Sequence, residues 1–431
     1  MSVVAHEPEG DTIVDLRRWP GLARPKAILV RAALARVLLR RVANRTGIRV
    51  ELPDGSHFGR DRGPIMAVRD PEALFARLGL GGKIGFGESF MACEWDSPNL
   101  VQVLEALARH ADSLVPRPLQ FIRRWYEARQ PNAEANDKSG SARNIARHYD
   151  LSNELFATFL DESMSYSAAL FADEHSSLVE AQAHKIERLL DATGVRRGTR
   201  LLEIGTGWGE LALRAARRGA QVTSLTLSVE QATLARRRVA DAGFDTLVDI
   251  RVEDYRDVTG IFDAIVSVEM IEAVGERWWP TYFRTLDRCL APGGQIGLQS
   301  ILMAHDRLEA TKSSWTWIHK YIFPGGIIPS EHAIRQTVSG HTTLEIVDQL
   351  HFGDSYATTL RSWRERFLEA ANDVAHLGFD PTFRRMWEFY LAYSEAGFRS
   401  GYLDVAQIVL ARTRAQRPFG GAARWTHVAN G

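Results

Sequence analysis

The chain has 431 residues, enough for two or three domains with a sizeable core, which excludes a small scaffold held together by disulfides. Hydrophobic residues (45%) and charged residues (25%) are at globular averages, which argues against wholesale disorder, a collagen-like repeat and a polytopic membrane protein. The 53 Lys and Arg residues balance the 53 Asp and Glu residues, so no overall field attracts nucleic acid, and we expect no nucleic-acid partner.

The first residues and the cysteines bear on where the protein works. The opening stretch, MSVVAHEPEGDTIVDLRR, is acidic and lacks the apolar core of a signal peptide, and no stretch approaches the ~18 uninterrupted apolar residues of a membrane span. The two cysteines, Cys93 and Cys289, lie far apart, and no Cys or His occurs at metal-ligand spacing. We therefore expect a cytoplasmic protein without a disulfide framework or a metal site.

Residues 21–50 form a basic block inside this neutral chain, with eight Lys and Arg residues and no acidic residue. Their apolar residues recur at helical spacing, which predicts a basic amphipathic helix able to lie on an anionic membrane surface. A surface helix with a solvated arginine face explains the same pattern equally well.

The N-terminal third continues with strand-like residues at 48–70 around a Pro-Asp-Gly turn, followed by helical patterns at 72–79 and 98–127. The next stretch is polar, contains Pro and Gly and has no periodicity, which is typical of a linker. We therefore divide the chain as follows: an N-terminal domain at 1–127, a linker at 128–142, a second domain at 143–414 and a tail at 415–431.

The second domain alternates predicted helices and strands, which indicates a parallel, doubly wound α/β sheet. The helical patterns cover 143–157, 176–193 and 381–400; a strand–turn–helix unit covers 200–218; strand runs lie near 221–227, 247–252, 262–268 and 294–302. Residues 303–380 are irregular and rich in Trp, His and Gly, and we expect a lid inserted over a site rather than a strand of the sheet.

A glycine-rich turn follows the first of these strands in Leu201-Leu202-Glu203-Ile204-Gly205-Thr206-Gly207-Trp208-Gly209. Glycines let the backbone approach a ligand closely, and the N–H groups of such a turn meet polar ligand atoms. The glycine spacing, and a second strand that ends without an acidic residue, favour S-adenosylmethionine over a nicotinamide dinucleotide. Glu253 or Asp254, after the third strand, is expected to accept a hydrogen bond from an adenine amino group, unless it is a solvated loop acid.

Several motifs in order make the sequence similar to the cyclopropane-fatty-acyl-phospholipid synthase family, which includes mycolic acid cyclopropane synthases and related lipid methyltransferases. The motifs are HYDLSN (148–153), MSYSAALF (164–171), EIGTGWG (203–209), LTLSVEQ (225–231), EMIEAVG (269–275), YIFPGG (321–326) and GFRSG (397–401), with GESFM (87–91) and Trp95 before the linker. The resemblance covers about 50–410.

The resemblance implies a class I methyltransferase fold, a Rossmann-like doubly wound sheet with a helical cap and lid, plus a smaller N-terminal α+β lipid-binding domain. It implies transfer of the methyl group of S-adenosylmethionine to a cis double bond of an unsaturated acyl chain in membrane phospholipid. We further expect a peripheral position on the inner face of the cell membrane, at an anionic membrane surface, and a homodimer.

In the family the base is thought to be a bound bicarbonate, held by a Glu, a His, a Tyr and backbone groups. By position these are Glu272, Tyr356 and the backbones of Ile301 and Ala168, while the His position holds Gln299. An amide hydrogen-bonds an anion but cannot share its proton or carry positive charge. Either bicarbonate is held differently here, or another carboxylate takes the proton.

The resemblance implies cofactor contacts at Tyr166 and Ser167, and Thr226, Leu227 and Gln231, at and after the end of the second strand, are further candidates for cofactor binding. The alternatives are that Tyr166 and Ser167 only pack the helical cap and that Gln231 lies on a solvated helix face. We expect Trp208 to pack over a bound methionine moiety rather than in the core. His148 and Asp150 belong either to the site or to a helix cap.

The sequence also departs from the family at two cysteine positions, and it leaves the product open. The family's cysteines are replaced by Ala168 and Ser394, which excludes a covalent cysteine mechanism at these positions. Both a cyclopropane and a 10-methylene product are open, and a methylene product would require a partner reductase to become a methyl branch. The rival functions are methylation of a soluble small molecule and non-catalytic lipid binding.

Overall fold

The computed structural model describes residues 14–111 and 152–412. The predicted linker at 128–142, the tail at 415–431, and His148 and Asp150 lie outside the described residues. The division into two domains therefore stays a prediction, and the two described ranges are called the N-terminal and C-terminal parts below.

The N-terminal part is a small α+β unit. Its elements are α1 (Leu29–Thr46), β1 (Arg49–Glu51), β2 (His57–Gly59), β3 (Ile65–Val68), α2 (Pro71–Met91), β4 (Trp95–Asp96) and α3 (Leu100–Arg109). The four strands form a sheet in the order β2-β1-β3-β4. The Asp70 side chain caps α2 by accepting from the Ala73 amide at 3.0 Å. Gly82, with φ 51° and ψ −123°, breaks α2 into two helical segments that together extend well beyond the predicted 72–79.

The C-terminal part begins with the elements that surround the glycine-rich turn. They are α4 (Asn153–Phe159), α5 (Leu178–Ala192), β5 (Arg200–Ile204), α6 (Glu210–Arg217), β6 (Gln221–Thr226), α7 (Val229–Asp241), β7 (Val248–Val252), β8 (Phe262–Val268), α8 (Ile271–Val274), α9 (Trp279–Cys289) and β9 (Leu290–Met303). The predicted strands are thus confirmed within a few residues. The remaining elements are α10 (His305–Thr311), α11 (Trp317–Tyr321), α12 (Glu331–His341), β10 (Leu344–His351), α13 (Gly353–Glu369), α14 (Ala371–His376), α15 (Pro381–Arg399) and β11 (Leu403–Arg412).

The central sheet has seven strands in the order β10-β11-β9-β8-β5-β6-β7. Strands β5 to β9 are parallel, and β11 is antiparallel to β9 and β10. The order reverses between β5 and β8, and ligands of doubly wound sheets bind at such a switch point, outside the carboxyl ends of the strands. The doubly wound sheet predicted from sequence is confirmed.

The expectation that 303–380 contains no strand of the sheet was wrong. Residues Leu344–His351 form β10, an edge strand paired with β11. Most residues of this strand are exposed, and buried and exposed positions do not alternate regularly along it. An edge strand needs little apolar surface, and its sequence, LEIVDQLH, therefore lacks a clear strand pattern. The rest of the region is largely helical, from α10 to α14.

A single hydrophobic cluster joins the two parts of the molecule. It contains Phe90 and Trp95 of the N-terminal part together with Phe156, Trp363 and Trp387 of the C-terminal part. Helix α15 packs against both α2 and α3. Within 14–111 and 152–412, no helix is long and apolar enough to cross a membrane, and no group of acidic, His and Cys side chains is arranged to hold a metal ion.

Candidate active site

The glycine-rich turn connects β5 to α6 at the switch point of the sheet. Gly205, Gly207 and Gly209 all have positive φ (101°, 52° and 89°), a conformation that glycine adopts without strain. A Cβ atom on Gly205 would lie 2.5 Å from Met270 Cγ, so this glycine is required by packing. A Cβ atom on Gly207 would meet nothing within 4 Å, so the backbone there is open to a ligand.

A buried carboxylate lies beneath the turn. Glu203 is 3% exposed and accepts a hydrogen bond from Ser224 Oγ at 2.5 Å. The Ser224 hydroxyl also lies 2.7 Å from Thr206 Oγ1. Burial raises the pKa of Glu203 to about 8. A positively charged ligand near this carboxylate would lower that pKa, so the site fits a cation beside the open glycine backbone.

The end of β6 forms a second polar corner. Thr226 Oγ1 lies 3.1 Å from Gln231 Oε1, to which it donates, and it accepts from the Ser228 amide. Gln231 is 6% exposed, which excludes the alternative of a solvated helix face. The partly buried Leu227 lies between these residues, next to the carboxyl end of the strand.

The two acids after β7 differ in their environment. Asp254 forms a buried, two-oxygen ion pair with Arg256, whose Nε and a terminal nitrogen lie 2.8 and 2.6 Å from the carboxylate oxygens. The side chain of Glu253 is 27% exposed and lies 3.8 Å from Arg251. Because Arg256 occupies both oxygens of the buried Asp254, whereas Arg251 lies 3.8 Å from the more exposed Glu253, Glu253 is the better candidate to accept from a ligand amino group.

The residues expected above the turn are largely part of the aromatic core. Trp208 Nε1 donates to Asn153 Oδ1 at 2.7 Å, and its ring is 3% exposed and 5.0 Å from that of Phe156. The expectation that Trp208 covers a methionine moiety is therefore less well supported than core packing, which the sequence analysis ranked second. Tyr166 Oη lies 2.7 Å from Tyr390 Oη. The alternative that Tyr166 packs the cap is likewise supported.

A second carboxylate centre lies near the carboxyl ends of β8 and β9. Glu269, directly after β8, accepts three hydrogen bonds: from the Ala168 amide (2.8 Å), from Gln299 Nε2 (2.9 Å) and from Tyr356 Oη (2.9 Å). Its φ of 51° is unfavourable for a residue other than glycine. Strain of this kind persists where the surroundings fix the residue, and it is common at functional sites.

Glu272 completes the centre. Its Oε1 accepts from the Ile301 amide at 2.6 Å and from Ser300 Oγ at 3.2 Å, whereas Oε2 is buried and has no hydrogen-bond partner within the described ranges. Burial, and next the charge of Glu269, raise the pKa of Glu272 to about 8. At neutral pH Glu272 is therefore mainly protonated.

All five residues that the resemblance assigns to a bicarbonate site thus converge, but the anion at their centre is a side chain. Ala168, Gln299 and Tyr356 donate to Glu269, and Ile301 donates to Glu272. An additional bicarbonate does not fit this arrangement, because the donors that would hold it are already satisfied.

Further buried polar residues support Glu269. Gln407 Nε2 donates to Gln299 Oε1 at 3.1 Å, which fixes the amide so that Gln299 Nε2 faces the carboxylate. Lys185 is 2% exposed, and its Nζ donates to Ser167 Oγ at 2.7 Å. Burial raises the pKa of Glu269, and its hydrogen bonds from Gln299 and Ala168, followed by the positive charge of Lys185, oppose this shift.

Sequence reasoning missed Glu269, Lys185 and Gln407. Glu269 was read only as the first letter of EMIEAVG, although an acid directly after a parallel strand, at the edge that carries the glycine turn, is a recognisable signal. No sequence pattern pointed to Lys185 or Gln407, because each is a single polar residue within an ordinary helix or strand and belongs to no motif.

Aromatic rings enclose the carboxylate centre. The ring of Tyr356 lies 4.4 Å from that of Phe398 and 6.3 Å from that of Trp363. The ring of Phe323 lies 5.8 Å from that of Tyr390. Such an enclosure excludes water and stabilises a nearby positive charge. The arrangement is therefore suited to taking a proton from a cationic intermediate.

Known proteins resemble this chain over most of its length. Residues 136–408 match the family model described as mycolic acid cyclopropane synthetase. Tuberculostearic acid methyltransferase UfaA1 of Mycobacterium tuberculosis is 52% identical over 411 residues, which cover 93% of this chain and 96% of that protein. Cyclopropane-fatty-acyl-phospholipid synthase of Escherichia coli (strain K12) is 35% identical over 347 residues, 80% of this chain and 87% of that protein.

A solved structure agrees with the fold. Mycolic acid cyclopropane synthase CmaA1, complexed with SAH and CTAB, superposes with a TM-score of 0.59 and 28% identity, covering 64% of this chain and 99% of that chain. The class I methyltransferase fold that the sequence predicted is thereby confirmed.

Proposed function

The chain belongs to the mycolic acid cyclopropane synthetase family, and from that premise we propose that it methylates a cis double bond in an acyl chain of membrane phospholipid, giving a methylene-branched chain. The names of the two relatives support a lipid methyltransferase. The observation that carries the finer proposal is Glu269, whose carboxylate lies among the donors expected to hold bicarbonate.

S-adenosylmethionine, when bound, supplies the electrophilic methyl group. The open backbone at Gly207 and the buried carboxylate of Glu203 fit a cationic nucleoside ligand, and CmaA1 was solved with SAH. Thr226, Gln231 and Glu253 offer polar groups at the neighbouring strand ends, where an adenosine would extend.

Glu269 would act as the base. Addition of the methyl group to one alkene carbon leaves a cation on the other, and that cation must lose a proton from the new methyl group. One oxygen, Oε1, already accepts two hydrogen bonds, whereas Oε2 accepts one from Tyr356 and can take the proton. Gln299 cannot take the proton onward, so the proton stays on Glu269 until it is released.

The product depends on how soon the proton leaves. Prompt loss with closure of a bond between the methyl carbon and the cationic carbon gives a cyclopropane. If a hydride first shifts to the cationic carbon, the methyl-bearing carbon becomes the cation, and loss of a methyl proton gives a methylene branch. Three hydrogen bonds fix the Glu269 carboxylate in one position, and we propose that this fixed base takes the proton only after the hydride has shifted. A reductase that adds a hydride and a proton would then give a methyl branch.

The phospholipid would be reached through α1. Val30, Leu34 and Val37 lie at i, i+4 and i+7 on one face of this helix and are 79%, 50% and 64% exposed. The exposed Arg41 and Arg45 follow this stripe at i+4 and i+8 from Val37, toward the C-terminal end of the same helix face. An outward apolar stripe edged by positive charge suits an anionic membrane surface better than water. Membrane attachment thus supports a lipid substrate over a soluble one.

The test of the reaction is proton NMR and mass spectrometry of fatty acids from oleate-containing phospholipid vesicles incubated with the protein and S-adenosylmethionine. We expect a one-carbon gain with vinylidene protons. The same gain with upfield ring protons would identify a cyclopropane synthase and contradict the methylene product. No gain would contradict a lipid substrate.

Membrane attachment is tested by replacing Val30, Leu34 and Val37 with Ser. Sedimentation with anionic vesicles should fall several-fold relative to wild type. The matched control is Arg237→Ala on α7, at a side chain 77% exposed, which should sediment like wild type. Equal sedimentation of the triple variant and wild type would contradict membrane attachment through α1 and favour the alternative, a surface helix with a solvated arginine face.

A further inference from the structure

A buried acid of the N-terminal part contacts a short helix of the C-terminal part. Glu88, on α2, is 7% exposed. Its Oε1 accepts a hydrogen bond from Tyr321 Oη at 2.8 Å and forms an ion pair with Lys320, both on α11. A buried carboxylate that loses such partners is strongly destabilised, so the contact holds α11 at a defined position.

The backbone next to Glu88 is fitted closely to the same helix. A Cβ atom on Gly87 would lie 2.5 Å from Trp317 Cδ1, so α2 approaches the indole ring more closely than any other residue would allow. The Trp317 ring lies 5.4 Å from that of Tyr321 and 4.8 Å from that of Phe389 on α15. The motif GESFM at 87–91 therefore packs against the start of the motif YIFPGG.

Hydrogen bonds continue from α11 to the carboxylate centre. The Thr316 amide donates to His319 Nδ1 at 3.0 Å, so the other ring nitrogen, Nε2, carries the hydrogen and donates to the Gly326 carbonyl at 2.8 Å. The next residue, Ile327, donates its amide hydrogen to the Glu272 carbonyl at 2.8 Å. Residues 316–327, here called the bridging segment, are thus held by Glu88 at Lys320 and Tyr321 and joined to Glu272 through Ile327.

The bridging segment also carries part of the aromatic enclosure. Phe323 lies against Tyr390, whose hydroxyl bonds to that of Tyr166. A displacement of α11 would therefore move the Phe323 ring, which packs on Tyr390, and the hydrogen bond from Ile327 to the backbone of Glu272. Misplacement by about 1 Å can cost on the order of 100-fold in rate.

We propose that Glu88 is a positioning residue, through which the N-terminal part holds the bridging segment in place over the acyl site. The expected effect on the rate rests on the proposed function, whereas the expected effect on the position of the bridging segment does not. Glu88 contacts neither the glycine turn nor the carboxylates, and it acts only through Lys320 and Tyr321.

The first test is hydrogen exchange of the full chain, which needs no turnover. Glu88→Gln should increase exchange of peptides covering 316–327 at least several-fold. The matched control is Glu105→Gln, which weakens a different contact between the parts, from Glu105 to Arg399 of α15 at 2.9 Å. The control should leave 316–327 protected. Unchanged exchange in Glu88→Gln, or equal increases in both variants, would overturn the proposal whether or not the enzyme acts on lipid.

The second test separates binding from turnover. With oleate-containing vesicles, Glu88→Gln should lower kcat by about 10-fold to 100-fold and change the Kd for S-adenosylmethionine less than twofold. Adding Lys320→Met should lower kcat little further, since both changes break one contact; independent losses that multiply would contradict this. If Glu88→Gln does not fold, Tyr321→Phe removes only the hydroxyl and should show the same pattern in both tests, several-fold weaker.

Discussion

The glycine turn and the carboxylate centre lie at the same edge of the sheet, but they are prepared for ligands in opposite ways. At the turn, Gly207 leaves open space, and the buried Glu203 carboxylate accepts its hydrogen bond from the neutral Ser224 hydroxyl. At the centre, the donors that suit a small anion surround Glu269. One region is incomplete until a ligand binds, while the other carries its anion as part of the chain.

The largest effect should come from removing the built-in base. Glu269→Gln should lower kcat by about 10²-fold to 10⁴-fold, because the amide cannot accept the proton, while the Kd for S-adenosylmethionine stays within twofold. Steady-state assays and titration calorimetry measure both.

The matched control is Glu272→Gln. Since burial keeps Glu272 mainly protonated at neutral pH, a neutral amide of the same shape should lower kcat less than 10-fold. A larger loss in Glu272→Gln than in Glu269→Gln would reverse the roles of the two acids.

Removal of the Glu269 side chain should make the carboxylate centre resemble the glycine turn, because it leaves a space in which a ligand can bind. Glu269→Gly removes the carboxylate and relieves the strained φ of 51°, leaving the Ala168 amide, Gln299 and Tyr356 free to hold an added anion. We expect added bicarbonate to raise the kcat of this variant about 10-fold. Glu269→Gln still fills the space and should gain nothing. Equal responses of the two variants to bicarbonate would contradict the assignment of these donors.

The turn should respond differently at two neighbouring glycines. Gly207→Ala has open space but a positive φ, so it should cost about 1 kcal/mol of stability and raise the Kd for S-adenosylmethionine about 10-fold. Gly205→Ala meets Met270 and should destabilise the fold by about 2–3 kcal/mol. Thermal unfolding and calorimetry separate the two. Unchanged cofactor affinity in Gly207→Ala would remove the turn from the binding site.

The sequence predicted features that depend on neighbouring residues, and it did not predict features that depend on contacts between residues far apart along the chain. Local patterns predicted β8 at 262–268 to the residue and the helix at 381–400, because periodicity depends on neighbours along the chain. The role of Glu269 could not be predicted in the same way. Its partners, Ala168 and Tyr356, are 101 and 87 residues away, and only the folded sheet brings them together. The resemblance pointed to residues that the structure places around one carboxylate, but it did not include Glu269, the acid to which they donate.

The glycine turn and the carboxylate centre each contain an acid with a pKa of about 8, Glu203 and Glu272. The smallest expected effect is the release of a proton from only one of them, Glu203, when the cofactor binds. Free Glu203 is mainly protonated at pH 7, so a cationic cofactor beside it should lower its pKa and release up to about 0.9 proton on binding. Calorimetry in buffers of different ionisation enthalpy measures this release. Glu203→Gln should abolish it and Glu272→Gln should preserve it, because only Glu203 lies under the open turn. Equal release from wild type and Glu203→Gln would mean that the proton comes from elsewhere and that Glu203 does not face the cofactor's charge.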